Sequence, residues 1–258
     1  MSQDQITHQT TFSEKSIFDQ AGLSGIPNEE LDELVDLSGG SASILRRLAI
    51  RKKFGEPNAY LRGHVTMMGR KFSVDRRCYI PDQYAEELVR RVISDAPKNA
   101  VVLEVGTGCG WISITLKLER PDLTVLASDI DPGALAVAQR NATWHGVNVP
   151  FLESYFVDDI VSVVPDLIVA NIPYGGDFEY TDQEMEERPQ MPSIAICDPA
   201  GVVKPLVEFY KSVAAKKWAA KIYLETGYLP AERLKPVIET CADAEHVQNG
   251  EYGYVVLT

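Results

Sequence analysis

Five short apolar runs lie in the second part of the chain: Val101–Val105, Leu123–Ser128, Leu167–Ala170, Ala220–Thr226 and Tyr252–Leu257. A run that is apolar without strict alternation predicts a strand buried on both faces. Between them, Trp111–Leu118, Gly133–His145, Val202–Lys216 and Pro230–Cys241 have helical patterning. Strands alternating with helices predict an α/β fold: a mostly parallel sheet with helices on both faces. The first hundred residues read differently. Asn28 is an expected N-cap for a helix over Glu29–Leu37, with acidic residues in its first turn. Gly39-Gly40 ends it, and Ser41 or Ser43 can cap a second helix carrying Ile44, Leu45, Leu48 and Ala49. Tyr60–Val65 and Lys71–Val74, around Met68-Gly69-Arg70, predict a β-hairpin. Pro81-Asp82 then opens a helix with Ala85, Leu88, Val89, Val92 and Ile93 at helical spacing. The expected organisation is a small N-terminal helical subdomain over residues 1–58, a hairpin linker over 59–80 and an α/β domain over 81–258.

Composition narrows the function classes. The 258 residues include 25 Lys+Arg and 37 Asp+Glu, for a net charge of −12. That balance argues against nucleic acid as a partner, because such affinity comes from cations neutralising phosphates. No apolar run approaches the roughly 18 residues of a membrane span. The segment Met1-Ser2-Gln3-Asp4-Gln5 lacks the basic-then-apolar start of a secretory signal, so a cytoplasmic location is expected and no membrane partner. Cys78, Cys109, Cys197 and Cys241 form no CxxC pair and are expected to be small buried residues, not metal ligands.

The candidate chemistry begins at Glu104-Val105-Gly106-Thr107-Gly108-Cys109-Gly110, between the first strand of the α/β domain and its helix. Glycines there let a ligand lie against the main chain at a helix N-terminus. Asp129 ends the second strand, 23 residues after Gly106. An acid at that place accepts hydrogen bonds from both ribose hydroxyls of an adenosyl group. The turn is not the G-x-G-x-x-G dinucleotide fingerprint, and Glu104 beside it suits an amino group and a sulfonium but repels a pyrophosphate. S-Adenosylmethionine is therefore favoured over a dinucleotide. A second signal is Asn171-Ile172-Pro173-Tyr174, at the carboxyl end of the strand Leu167–Ala170, where parallel sheets bind ligands. Asn171 and the carbonyls of Asn171 and Ile172 can accept the two hydrogens of a planar NH₂ group. Pro173 stiffens the segment and Tyr174 offers a ring to stack on that plane.

Glu104–Gly110, Asp129-Ile130-Asp131-Pro132, Ala138-Gln139-Arg140-Asn141-Ala142 and Asn171-Ile172-Pro173-Tyr174 resemble the class I S-adenosylmethionine-dependent methyltransferases, specifically the release-factor glutamine N5-methyltransferase family. Gly55–Gly63, Tyr79-Ile80-Pro81, Glu187-Arg188-Pro189 and Leu224-Glu225-Thr226-Gly227 are similar to further landmarks of that family, so the resemblance covers about residues 45–258. It implies a Rossmann-like fold and N-methyl transfer to a protein glutamine. The chain departs from the family's pattern in reading NIPY for NPPY, Ile80-Pro81-Asp82 for Ile-Pro-Arg, and Glu153-Ser154-Tyr155-Phe156 where the family often has an Asp near the adenine. Its N-terminal helical piece is also shorter than the family's protein-docking domain.

The expected site is then cofactor contacts at Glu104, Gly106, Thr107, Gly108, Asp129, Ile130 and Asn171, catalytic groups at Asn171 and Tyr174, and acceptor contacts at Asn171, Ile172, Pro173, Tyr174 and Glu187. The acidic run from Asp177 to Glu187 beside the acceptor segment favours a small cationic acceptor such as arginine, with a guanidine or amine nitrogen. A protein glutamine is the alternative, and an exocyclic nitrogen of a nucleic-acid base a lesser one.

Overall fold

A computed structural model describes residues 12–173, 190–195, 203–227, 229, 231–239, 241, 243–249 and 252–258. The chain divides into two compact units: residues 1–63 with 180–190, and residues 64–179 with 191–258. The hairpin thus falls within the larger unit, whereas the sequence pattern sets it apart as a linker.

Among the described residues the smaller unit contains four helices, α1 (Phe12–Ala21), α2 (Asn28–Ser38), α3 (Ala42–Lys53) and α4 (Asn58–Arg62). Ser41 caps α3, accepting a hydrogen bond from the Ile44 N–H at 3.4 Å. Asn28 does not cap α2. It is the first helical residue, Pro27 holds the cap position, and no side chain caps that end. The expected strand from Tyr60 is also corrected. Asn58–Arg62 is one helical turn, bounded by Pro57 and by Gly63 at φ +78°. Ile17, Phe18, Leu23, Leu34, Leu45, Leu48, Ala49 and Leu61 make a separate apolar cluster.

The larger unit opens with the hairpin β1 (His64–Met67) and β2 (Arg70–Ser73), antiparallel with His64 opposite Ser73. Helix α5 (Ala85–Asp95) follows. It starts four residues later than Pro81, because residues 81–84 remain outside the helix. Then come β3 (Val101–Val105), α6 (Trp111–Glu119), β4 (Thr124–Asp129), α7 (Pro132–His145), β5 (Phe151–Glu153) and β6 (Leu167–Ala170). After α8 (Lys204–Lys216) the chain forms β7 (Lys221–Gly227), α9 (Ala231–Ile238), β8 (Ala244–Asn249) and β9 (Tyr252–Leu257). The seven strands run in the order β5-β4-β3-β6-β7-β9-β8. The first five are parallel, and β9 is antiparallel to both β7 and β8.

Alternation along the strands explains the layers. Leu103, Val105, Ile168, Ala170, Ile222, Leu224, Val255 and Leu257 share a core with Leu206, Phe209 and Val213 of α8 and Leu234 and Val237 of α9. Helices α5, α6 and α7 also contact the sheet, at β7, β3, β4 and β5. Neighbours β3 and β6 connect in opposite directions along the sheet, and at such a switch point the carboxyl ends leave a crevice. Among the described residues no helix is long and apolar enough to cross a membrane.

Candidate active site

The crevice is lined by the ends of β3, β4 and β6. After β3 the chain turns sharply, with Gly106, Gly108 and Gly110 at φ +75°, +56° and +83°. A side chain is strained at those angles. Two of these glycines also permit close approach. A Cβ on Gly110 would lie 3.0 Å from the Ala138 Cβ, and one on Gly106 would lie 3.0 Å from Ile172 Cγ2 and 3.6 Å from the Asn171 carbonyl oxygen. The space that a Gly108 Cβ would enter holds no atom within 4 Å. The NIPY segment therefore packs onto the glycine turn, while the turn's middle faces open space.

The N–H groups of this turn are directed inward. Gly106 and Thr107 both donate to the Ser128 carbonyl, at 2.9 and 3.0 Å. Gly108 donates to Asp129 Oδ2 at 2.8 Å, and Asp131 N–H donates to Oδ1 at 3.0 Å. A dinucleotide turn presents such donors to a pyrophosphate. Here Ser128 and Asp129 consume them, which removes the reason for a pyrophosphate to bind. Asp129 is anchored through one bond on each oxygen, and each oxygen retains lone-pair capacity for a further donor. Burial raises its carboxyl above the ordinary range, against the lowering effect of those N–H bonds.

Glu104 lies beneath the turn and is buried. Its Oε2 accepts from Thr107 Oγ1 at 2.6 Å and from the Ser113 N–H at 3.0 Å. Gly110, at the cap position of α6, has no side chain to offer, so Glu104 serves the helix's third N–H from the strand below. Burial pushes its carboxyl up to about 7, opposed by the bonds from Thr107 and Ser113 and assisted by the charge of Asp129. Two carboxylates beside an open glycine turn make a field that favours a cationic, hydroxyl-bearing ligand. That set of acceptors fits the ribose hydroxyls, amino group and sulfonium of S-adenosylmethionine.

The structure brings Glu104, Gly106, Thr107, Gly108, Asp129, Ile130, Asn171, Ile172 and Pro173 to the carboxyl ends of three neighbouring strands. Ile130 is 40% exposed at the tip of β4, and Ile172 is buried. Tyr174, Glu187 and the rest of the acidic run lie outside the described residues. Burial pushes the Cys78 thiol up to about 11 and the Cys109 thiol well above its ordinary value, as suits small buried residues, whereas Cys241 is only half-buried and Cys197 lies outside the described residues. Motif reading singled out neither Ser113 nor Asn141 for a role. Ser113 acts through its main chain, which leaves no signal in the sequence. Asn141 has one: it is a polar residue on the buried stripe Ala134, Val137, Ala138 and Ala142 of α7.

This fold and turn define the class I S-adenosylmethionine-dependent methyltransferase architecture. Among solved structures, a ribosomal protein L11 methylase from Lactobacillus delbrueckii subsp. bulgaricus superposes with a TM-score of 0.52 at 17% identity, over 72% of this chain and 83% of that one. The hMettl16 catalytic domain gives 0.54 at 13% identity, over 82% and 79%. These are likenesses of fold. In sequence, residues 81–187 match the methyltransferase small domain family. The release factor glutamine methyltransferase of Staphylococcus aureus is 30% identical over 193 residues, 73% of this chain and 69% of that protein. The Neisseria gonorrhoeae protein of the same name is 37% identical over 166 residues, 63% of this chain and 61% of its own length. The chain belongs to the release factor glutamine methyltransferase family. It spans less than two thirds of the Neisseria relative and 66% of that from Enterococcus faecalis.

Proposed function

We propose that the chain is an S-adenosylmethionine-dependent N-methyltransferase whose acceptor is the side-chain amide of a protein glutamine. The observation that carries this reading is the packing of Asn171 and Ile172 against Gly106, which sets the acceptor segment directly beside the cofactor turn. S-Adenosylmethionine supplies an electrophilic methyl carbon. Asp129 holds the ribose hydroxyls, with Ile130 beside it. Glu104 supplies negative charge beneath the turn, and Gly106, Thr107 and Gly108 form the surface on which the ligand lies. An amide nitrogen is a weak nucleophile because its lone pair is delocalised. Asn171 Oδ1 and the Ile172 carbonyl, accepting its two hydrogens, turn that lone pair toward the methyl carbon and stabilise the positive charge that develops. Pro173 stiffens the acceptor segment, and the product's proton leaves after transfer.

The relatives' names favour this protein acceptor over the small cation expected from the acidic run. Glu187 and its neighbours enter no step here. The test is transfer of labelled methyl to a panel: a release-factor protein bearing the glutamine, free arginine, free glutamine and simple amines. Label on the protein glutamine alone is the expected result. Label on arginine or amines with none on the protein would restore the cationic reading. In the Asn171→Ala variant, turnover on the protein is expected to fall by about 100-fold, the order seen when one preorganised hydrogen-bonding group is removed from an active site. Cofactor affinity should stay within several-fold.

A further inference from the structure

Asn141 is fully buried on α7, in line with Ala134, Val137 and Ala138. A buried amide is costly unless its donors and acceptor are matched. Here they are. Nδ2 donates to the Cys109 carbonyl at 2.8 Å and to the Ser73 carbonyl at 2.9 Å. Oδ1 accepts from the Ser73 N–H at 2.8 Å. Toward β2, the side chain pairs with the N–H and C=O of one residue, as the peptide group of an adjoining strand would. Toward the cofactor turn, it holds the carbonyl between Gly108 and Gly110.

That carbonyl needs a fixed partner. Both flanking residues are glycines at positive φ, and glycine has the widest range of alternative conformations. Ala138, one helical turn before Asn141, packs against Gly110 and steadies the same stretch. The hairpin is tied to α7 a second time where His145 Nε2 meets the Lys71 carbonyl at 2.8 Å, and just past β2 Arg140 meets Asp75 at 3.1 Å. The cofactor turn and the hairpin are 36 residues apart in sequence, from Ser73 to Cys109, yet they share one side-chain amide.

We propose that Asn141 is a positioning residue: it holds the cofactor turn in its binding conformation and couples that turn to the β1–β2 hairpin. The proposal rests on the reading of the turn as the S-adenosylmethionine site. Coupling between two sites is reciprocal, so a ligand that orders the turn must also stabilise the hydrogen bond of the Ser73 N–H.

Calorimetry with S-adenosylhomocysteine and the full chain comes first. Absence of binding would overturn the cofactor reading, and this proposal with it. Given binding, amide exchange is compared with and without the ligand. Exchange at Ser73 is expected to slow several-fold together with that at Cys109 and Gly110. Slowing at the turn with none at Ser73 would refute the coupling and leave the cofactor reading intact. This measurement uses the unaltered protein and does not depend on any variant folding. In folded Asn141→Leu and Asn141→Asp variants, the Michaelis constant for the cofactor should rise at least about tenfold, equivalent to about 1.4 kcal/mol. kcat at saturating cofactor should change far less. A fall in kcat with an unchanged Michaelis constant would exclude the positioning role.

Discussion

The two units bury polar groups for different ends. In the smaller one, charge fastens helices. Glu30 and Glu33 lie three residues apart on α2, and both side chains are half-buried. Glu30 pairs with Lys52 of α3, and Glu33 pairs with Arg62 and accepts from Asn58 Nδ2 at 2.9 Å. Arg51 and Glu56 add a two-bond pair at 2.7 and 2.5 Å. The apolar cluster beneath them has eight buried side chains, a small core for three helices and a turn. In the larger unit the sheet supplies the cohesion, and the buried polar residues Glu104, Thr107, Ser113, Ser128 and Asn141, among others, gather around the glycine turn. Polar burial is structural in one unit and site-forming in the other. Substitutions in the first should therefore change stability alone, and in the second they should also change binding.

The largest effect is expected from Glu30→Ala. The side chain of Lys52 is 6% exposed, so Glu30→Ala takes a charge partner from a largely buried ammonium. Breaking a buried pair costs roughly 3–5 kcal/mol. Thermal unfolding followed by circular dichroism should show an early transition for the helical unit, with S-adenosylhomocysteine affinity unchanged. A single transition at the original temperature would mean that the charge contact contributes little beside the apolar cluster.

Glu104→Gln should separate stability from binding. The folded carboxyl titrates near 7 against an ordinary 4.5, so the native state binds this proton more tightly than the unfolded state. Its contribution is fully favourable below about pH 4.5 and is lost as pH rises through 7. At pH 8 the ionised group then costs up to about 3 kcal/mol, which the variant recovers in part. A cationic ligand prefers the ionised form, so wild-type affinity for S-adenosylmethionine should fall as pH drops below 7. In the variant, affinity should be weaker at pH 8, with that pH dependence diminished. Chemical denaturation and calorimetry at pH 6 and 8 measure both. A variant that is no more stable at pH 8 would show that the Ser113 and Thr107 bonds already offset the burial.

What could be read from the sequence follows the same division. Strands β3, β4, β6, β7 and β9 were legible because burial on both faces demands nearly continuous apolar residues. Strand β8, Ala-Glu-His-Val-Gln-Asn at the sheet edge, carries no such run, and the three residues of β5 are too few to form one. Helix α4 reads as a strand in the sequence, because five residues are too few to show a helical period and its bounds lie in Pro57 and Gly63. Spacing alone puts Glu104, Gly106 and Asp129 at the ends of neighbouring strands, and the structure has them there. The partners that complete the arrangement are not legible in that way. The Ser128 carbonyl and the Ser113 N–H are main-chain groups, and the link from Asn141 to Ser73 spans 68 residues.

The smallest effect concerns two helix starts that look alike in sequence. Both Asn28 and Ser41 precede an amphipathic helix, yet only Ser41 accepts a hydrogen bond from its helix, and at 3.4 Å that bond is long. Ser41 Oγ also lies 3.1 Å from Ser43 Oγ, so part of its capacity is shared. Ser41→Ala should thus cost about 0.5–1 kcal/mol, the lower part of the range for loss of an N-cap. Asn28 occupies the first helical position behind Pro27, where alanine has the better helix propensity. Asn28→Ala should then leave the helical unit's stability unchanged or raise it by a few tenths of a kcal/mol. Urea unfolding of the two variants, read at the helical unit's transition, decides the matter. Equal destabilisation would mean that Asn28 caps α2 in solution after all, and that the two helix starts work in the same way.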